Sequence, residues 1–526
     1  TGNEKGYSGG FIGECISGRA RDTKISNLKT VTAAATSGKA GGFAGFAKAG
    51  DALSAGDSTT SKLTGIELEN LLGVVSALRP EFNNTSIAYV SNGNDPQVSA
   101  DMAGGFVGDG QAVDINYGNN NSGFKADTDT NITGLSYIKG TSYAGGFAGR
   151  LMPGDVAQTG SIKLLGLLNV NQLLSVMDVA YPRISDSSIK GNNLVVTASG
   201  KNDDVVLGDA GGYIGNGKAV MLKNSDVTNV KEVKAPYHAG GYIGIMRSGS
   251  AAEAGDATGD LLNSVLGKIL SLKELASVLQ AASSKITNCK VAGTADGLTV
   301  TADSGFENAE GYAGGFVGEM QSGHVDNSAN AVDSGKGTAV ENLLKVEGLR
   351  YAGGFGGLVK AGAVAEIGAK SSILTKVVDL TGLLSLVNAF VPVISNASVN
   401  SVEKGFTVTV TGTLEKDSTN DADAGSAGGF IGCGTGVQIS NSDVNKLQHT
   451  GVIEPNNLQQ EDGGSYYGTG SEYAVSGYRY AGGYIGKAAM GSTAAIGGAS
   501  VLDKVLSASN LLSALTVVAS IIDSSD

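Results

Sequence analysis

Tryptophan is absent from this chain of 526 residues, proline occurs 7 times and cysteine 3 times, and aromatic residues make up 6%. So little bulky material is ill suited to a series of large globular cores. Cys15, Cys289 and Cys433 cannot all pair within the chain and lie far apart, which excludes a disulfide scaffold. No apolar run reaches the roughly 18 to 20 residues needed to span a bilayer. Thr1-Gly2-Asn3-Glu4-Lys5 does not open a signal peptide. Long blocks of one charge are missing too: 50 acidic residues are interspersed with 37 basic ones, for a formal charge of −13. Without a basic stripe to neutralise phosphates, nucleic acid is not an expected partner.

What the chain has in excess is glycine, 81 residues without collagen's every-third spacing. Ten times it writes a small residue, two glycines, an aromatic, a variable residue and a glycine, beginning with Ser8-Gly9-Gly10-Phe11-Ile12-Gly13. The second glycine and aromatic of the copies are Gly10 and Phe11, Gly42 and Phe43, Gly105 and Phe106, Gly146 and Phe147, Gly212 and Tyr213, Gly241 and Tyr242, Gly315 and Phe316, Gly354 and Phe355, Gly429 and Phe430, and Gly483 and Tyr484. Gaps between copies are mostly short then long, so two copies form a unit recurring about every hundred residues. The approximate units are 1–95, 96–200, 201–302, 303–412 and an incomplete 413–526.

Glycine permits φ values closed to other residues and close approach of one backbone to another. The aromatic is then the one large side chain of the turn, expected to point inward and stack on its equivalents in neighbouring coils. A phosphate cradle is disfavoured, because such a loop occurs once per domain and needs its own partner residues. Runs such as Val195-Val196-Thr197, Leu298-Thr299-Val300-Thr301 and Phe406-Thr407-Val408-Thr409-Val410 read as strands. The shortest gap, Gly211 to Gly240, suffices for one three-sided coil. The expected fold is mostly β with helical inserts: one continuous parallel β-solenoid, right-handed by the usual twist of strands and crossovers. Ten rungs at about 4.8 Å make it roughly 50 Å long.

Each long gap holds a second repeated segment, at Leu71-Leu72, Leu173-Leu174, Leu275-Ala276, Leu383-Leu384 and Leu511-Leu512, with proline following in three units at Pro80, Pro182 and Pro392. Apolar residues at i, i+1, i+3 and i+4 before a proline stop indicate short amphipathic helices. Two rungs span about one helix diameter, so the inserts are expected to stack in a column along one side. The chain stops in mid-unit at Ile521-Ile522-Asp523 without a polar cap, which suggests a window cut from a longer array or rungs joining end to end between molecules.

Several motif copies continue as Gly318-Glu319-Met320-Gln321-Ser322-Gly323 followed by Val325-Asp326-Asn327-Ser328, or as Gly432 followed by Ile439-Ser440-Asn441-Ser442. This resembles the GLUG-type repeat of large secreted bacterial surface proteins, including some immunoglobulin-A peptidases, where it is associated with β-helical stalks. The copies here carry Phe or Tyr where that pattern favours Leu, and the inserts are not part of it. The resemblance implies a bacterial surface or secreted location and a passive or adhesive role.

Residues for chemistry are sparse. His238, His324 and His449 stand alone, each expected at the surface, and no His-Glu-x-x-His sequence exists, so zinc-peptidase activity does not carry over. Carboxylates such as Asp203-Asp204 or Asp421 with Asp423 fall in turn-like segments, where Asp is usually a turn former. Asp127, Asp129 and Asn131 open like a calcium loop but lack its glycine and distant Glu. The expectation is therefore a non-enzymatic stalk or binding scaffold without cofactor, whose partners are its own repeats and surface glycans or proteins of host or bacterium. The alternatives are a subunit of a self-assembling extracellular filament and a carbohydrate-active β-helix enzyme.

Overall fold

The structure is a computed structural model that describes residues 6–34, 36–50, 76–93, 95–117, 131–154, 178–200, 208–249, 283–303, 310–328, 337–362, 391–412, 424–447, 459–461, 465–467, 474–490 and 520–523. It is a parallel β-solenoid. Each motif copy leads into a strand of a second face, and these strands form one ten-stranded parallel sheet running from Ile12–Ile16 to Ile485–Ala489. A third face is another ten-stranded sheet, from Arg19–Arg21 to Ile521–Asp523. The first, longer face carries 22 strands, two or more segments to a rung. One motif copy therefore marks one rung, and there are ten. Among the described residues the one antiparallel pair is the hairpin Gln459–Glu461 with Ser465–Tyr467.

The strands form where β-branched residues alternate with polar ones. In Val227–Ala235, Val227, Val230, Val233 and Ala235 are buried while Lys231 and Lys234 are exposed. Side chains from all three faces meet in one core that runs from Cys15 to Ile439. The third face contributes one inward residue per rung, including Phe82, Ile115, Ile184, Leu222 and Ile286.

The motif aromatics form the spine of this core. From Phe43 through Phe106, Phe147, Tyr213, Tyr242, Phe316, Phe355 and Phe430 to Tyr484, successive ring centroids are 4.8 to 5.1 Å apart with the ring planes nearly parallel, and Phe11 is tilted against Phe43 at one end. That spacing is the strand-to-strand distance of a sheet, so parallel in-register pairing is what brings ring onto ring. Phe106 is fully buried between Phe43 and Phe147 and also touches Phe82. Phe106→Ala should cost about 3 to 5 kcal/mol, read as lost amide hydrogen-exchange protection in the third rung and its neighbours. A loss confined to under about 1 kcal/mol would show that the ladder contributes little.

The glycines act by close approach alone. None of the motif glycines has a positive φ, so the left-handed backbone half of the sequence argument does not apply to them. In the fifth rung a Cβ on Gly211 would lie 1.9 Å from Ile214 O, one on Gly212 would lie 2.0 Å from Gly241 O, and one on Gly215 would lie 2.6 Å from Gly149 O. Left-handed residues stand elsewhere, seven of them at the corner between the third face and the long one: Asp22, Asn84, Asp186, Asn224, Asn288, Asn396 and Asn441, with φ between 49° and 54°. Asn and Asp tolerate this region best among residues with a side chain. Here their side chains also tie rungs together, as Asn224 Nδ2 donates to Asp186 Oδ1 at 2.8 Å and Asn288 Nδ2 to Asn224 Oδ1 at 3.3 Å.

At the remaining corner, between the second and third faces, every second rung makes a long excursion. Its ends are clasped: Gly50 N donates to Leu78 O at 3.0 Å and Gly154 N to Ala180 O at 2.8 Å. Pro80, Pro182 and Pro392 stand just before the third face, where their carbonyls accept from Asp114, Met221 and Gln438 of the next rung. The expected insert helices and their column fall outside the described residues, apart from single helical turns at 76–78 and 178–180. Among the described residues no helix is long and apolar enough to cross a membrane.

Candidate functional site

Two columns of side chains point away from the core on either side of the motif turn. One comes from the residue two before each first glycine: Tyr7, Lys39, Met102, Tyr143, Asp209, His238, Tyr312, Tyr351, Ser426 and Tyr480. The other comes from five residues after it: Glu14, Phe46, Asp109, Arg150, Asn216, Ile245, Glu319, Leu358, Cys433 and Lys487. The glycine-rich turn folds the long face sharply onto the second, so the two columns meet and bury one another. Tyr7 packs on Phe46, with ring centroids 5.2 Å apart, and Tyr312, Tyr351, Leu358, Ala424 and Cys433 form a small apolar cluster.

Two ionic groups occupy this seam. Asp109 is fully buried, and Arg150 grips it with both ends of the guanidinium, Nε to Oδ1 at 3.0 Å and Nη2 to Oδ2 at 2.8 Å, while Lys39 Nζ reaches Oδ2 at 2.5 Å. Lys39 Nζ also lies 3.4 Å from the Phe46 ring centroid. Burial alone would raise the Asp109 pKa, but its hydrogen bonds and the charges of Arg150 and Lys39 hold it below the ordinary value.

Further along, His238 is 1% exposed, with Nδ1 2.7 Å from Asp209 Oδ1 and Nε2 2.9 Å from Glu319 Oε2. Nδ1 donates to Asp209 and Nε2 lies at ion-pair distance from Glu319, so the ring between two carboxylates is held as an imidazolium. Burial pushes its pKa down, but Asp209 and Glu319 outweigh that and raise it to about 9. Burial likewise pushes Glu319 up, and His238, Lys360 and Gln321 bring it far below the usual carboxylate range. Asn216 Nδ2 donates to Asp209 at 2.8 Å, Lys360 Nζ lies 2.8 Å from Glu319 Oε1, and Tyr312 meets the imidazole edge to face at 5.3 Å. The two ring nitrogens of His238 thus each face a carboxylate rather than a ligand.

The expectation of surface histidines is corrected at His238. Its position two before a motif glycine places it in the seam, where paired carboxylates offset the cost of burying its charge. His324 is half-buried on the third face, and burial together with nearby Lys285 lowers its pKa. His449, Asp127, Asp129, Asp203, Asp204, Asp421 and Asp423 lie outside the described residues, while Asn131 is buried. No group of three or more His, Cys, Asp or Glu side chains suited to a metal occurs among the described residues. Cys15, Cys289 and Cys433 are buried thiols outside any disulfide, and burial raises the Cys289 thiol to about 12. The seam itself was readable in principle, since its residues keep fixed offsets from the motif glycines. No family model, curated protein or solved structure matches this chain.

Proposed function

We propose that the chain is a non-catalytic structural segment of a bacterial cell-surface or secreted protein, serving as a stalk or extended binding scaffold. The observation that carries this reading is the uninterrupted stack: ten rungs share one core and one ring ladder, which is the construction of a rod. The GLUG-like continuation of the motif supports the surface location, and surface glycans or proteins are the partners such a rod would meet.

The filament reading draws on a separate observation, the apolar side chains exposed on the outermost described rungs: Phe11 is 55% exposed and Ile522 45%. Rungs of the same chain or of another copy would cover them with the same edge chemistry. Electron microscopy across a concentration series distinguishes the two. Rods of one fixed length, roughly 50 Å at about 4.8 Å per rung, are expected for the stalk. Rods that lengthen with concentration would favour the filament, and compact globules would overturn both.

A further inference from the structure

Ten rungs with the same glycines, the same ring and the same inward aliphatics pose a problem of order. Ring ladders, glycine contacts and parallel hydrogen bonds would form almost as well if one rung were extruded and its neighbours closed over the gap. The core cannot tell rung three from rung four. The seam can, because its residues differ from rung to rung. From the second rung to the seventh it carries Lys39, Asp109, Arg150, Asp209, His238 and Glu319, one charged side chain in each and alternating in sign. Glu14 of the first rung extends the alternation by one, and Lys360, outside the two columns at the end of its strand in the eighth, reaches Glu319.

The contacts run between neighbouring rungs: Lys39 to Asp109, Asp109 to Arg150, Asp209 to His238, His238 to Glu319, and Glu319 to Lys360. Between Arg150 and Asp209 stands Tyr143, paired in register with Asp209 and 5.8 Å from the Arg150 guanidinium. If one rung is skipped, every substitute pairing is of like charge: Lys39 meets Arg150, Asp109 meets Asp209, Arg150 meets His238 and Asp209 meets Glu319. In a buried seam such contacts are strongly unfavourable. We propose that this alternating seam is a rung-order code, which makes each rung accept its immediate neighbour in sequence and reject the one beyond it. Buried ion pairs are weak contributors to net stability, and fixing register is their best-attested use.

The test is a cross-link that reports which rungs are adjacent. On the third face Asn116 lies in register with Asn83 of the rung before and with Ser185 of the rung after. Cysteines at Asn83 and Asn116 can therefore bridge in the native order. Cysteines at Asn83 and Ser185 stand two rungs apart, about 9.6 Å, beyond the roughly 7 Å limit for a disulfide. They bridge only where the third rung has been skipped. Refolding from denaturant in oxidising buffer, with bridges mapped by mass spectrometry, should give the first link and almost none of the second.

In a background of Lys39→Met, Asp109→Leu and Arg150→Met, packing is kept and the code erased, so the skipped-rung link should rise about tenfold or more. Asp109→Lys should raise it as well, and adding Lys39→Glu and Arg150→Glu to that variant should suppress it again. A skipped-rung link that stays at the parent level in the apolar variant overturns the proposal, as does a fully reversed trio that fails to suppress it. The apolar variant keeps the question decidable if Asp109→Lys does not fold.

Discussion

Gly212→Ala is expected to break the solenoid between its fifth and sixth rungs. The added Cβ would sit 2.0 Å from Gly241 O, a backbone atom of the next rung that has no rotamer to retreat into. Relief requires the rungs to part, and that loosens Gly212 N to Gly240 O, Tyr213 N to Tyr242 O at 2.8 Å, and the Tyr213–Tyr242 stack at 5.0 Å together. Ordinary overpacking costs about 1 to 3 kcal/mol. With a rigid backbone as the obstacle, the loss here should exceed about 3 kcal/mol. Gly217→Ala in the same rung is the control: its Cβ would meet Val220 methyls at 3.2 and 3.5 Å, and side chains can shift by tenths of an ångström. In a stacked repeat such damage stays local, so hydrogen exchange resolved along the chain is the measurement. Equal protection of rungs five and six in both variants would refute the close-approach account of the motif.

Removing the buried histidine should be as damaging and should leave a pH signature. His238→Ala strands Asp209 and Glu319 in the seam, and breaking a buried ionic group in this way costs about 3 to 5 kcal/mol. The folded-state pKa of His238, about 9, lies above the roughly 6.5 of an unfolded histidine. Its contribution is therefore complete below about pH 6.5, declines from there, and is gone once the pH has risen through 9. A shift of that size corresponds to roughly 3 kcal/mol. Glu319 works in the opposite sense. Its pKa is depressed, so its share is present above about pH 4.3 and is lost as the pH falls.

The groups facing the imidazole are Asp209, Glu319, Tyr237 and Tyr312, with Asn216, Lys360 and Gln321 behind the carboxylates. Glu319 is held far below the interval from pH 6.5 to 9 and the tyrosines beside the ring are raised above it, so the histidine's shift is the one that falls inside. Exchange protection of residues 238–246 should fall over that interval in the parent and be low and flat in His238→Ala. An alkaline decline of equal size in both would assign the titration elsewhere.

The repeat, the strands, the rung count and the inward aromatic all follow from the spacing of the glycine motif, because a coil of a solenoid is a local object and its signal recurs ten times. Sequence alone determined that much: which residues repeat, at what period, and hence the rod. Only the tertiary structure decided what surrounds each repeat. His238 looks isolated in the chain because Asp209 and Glu319 are 29 residues before it and 81 after it, and they become its neighbours only when successive rungs stack in register. The seam owes its burial to the sharp fold of one face onto another at the glycine turn. Composition records the glycine, but the close approach it permits exists only between rungs already in place.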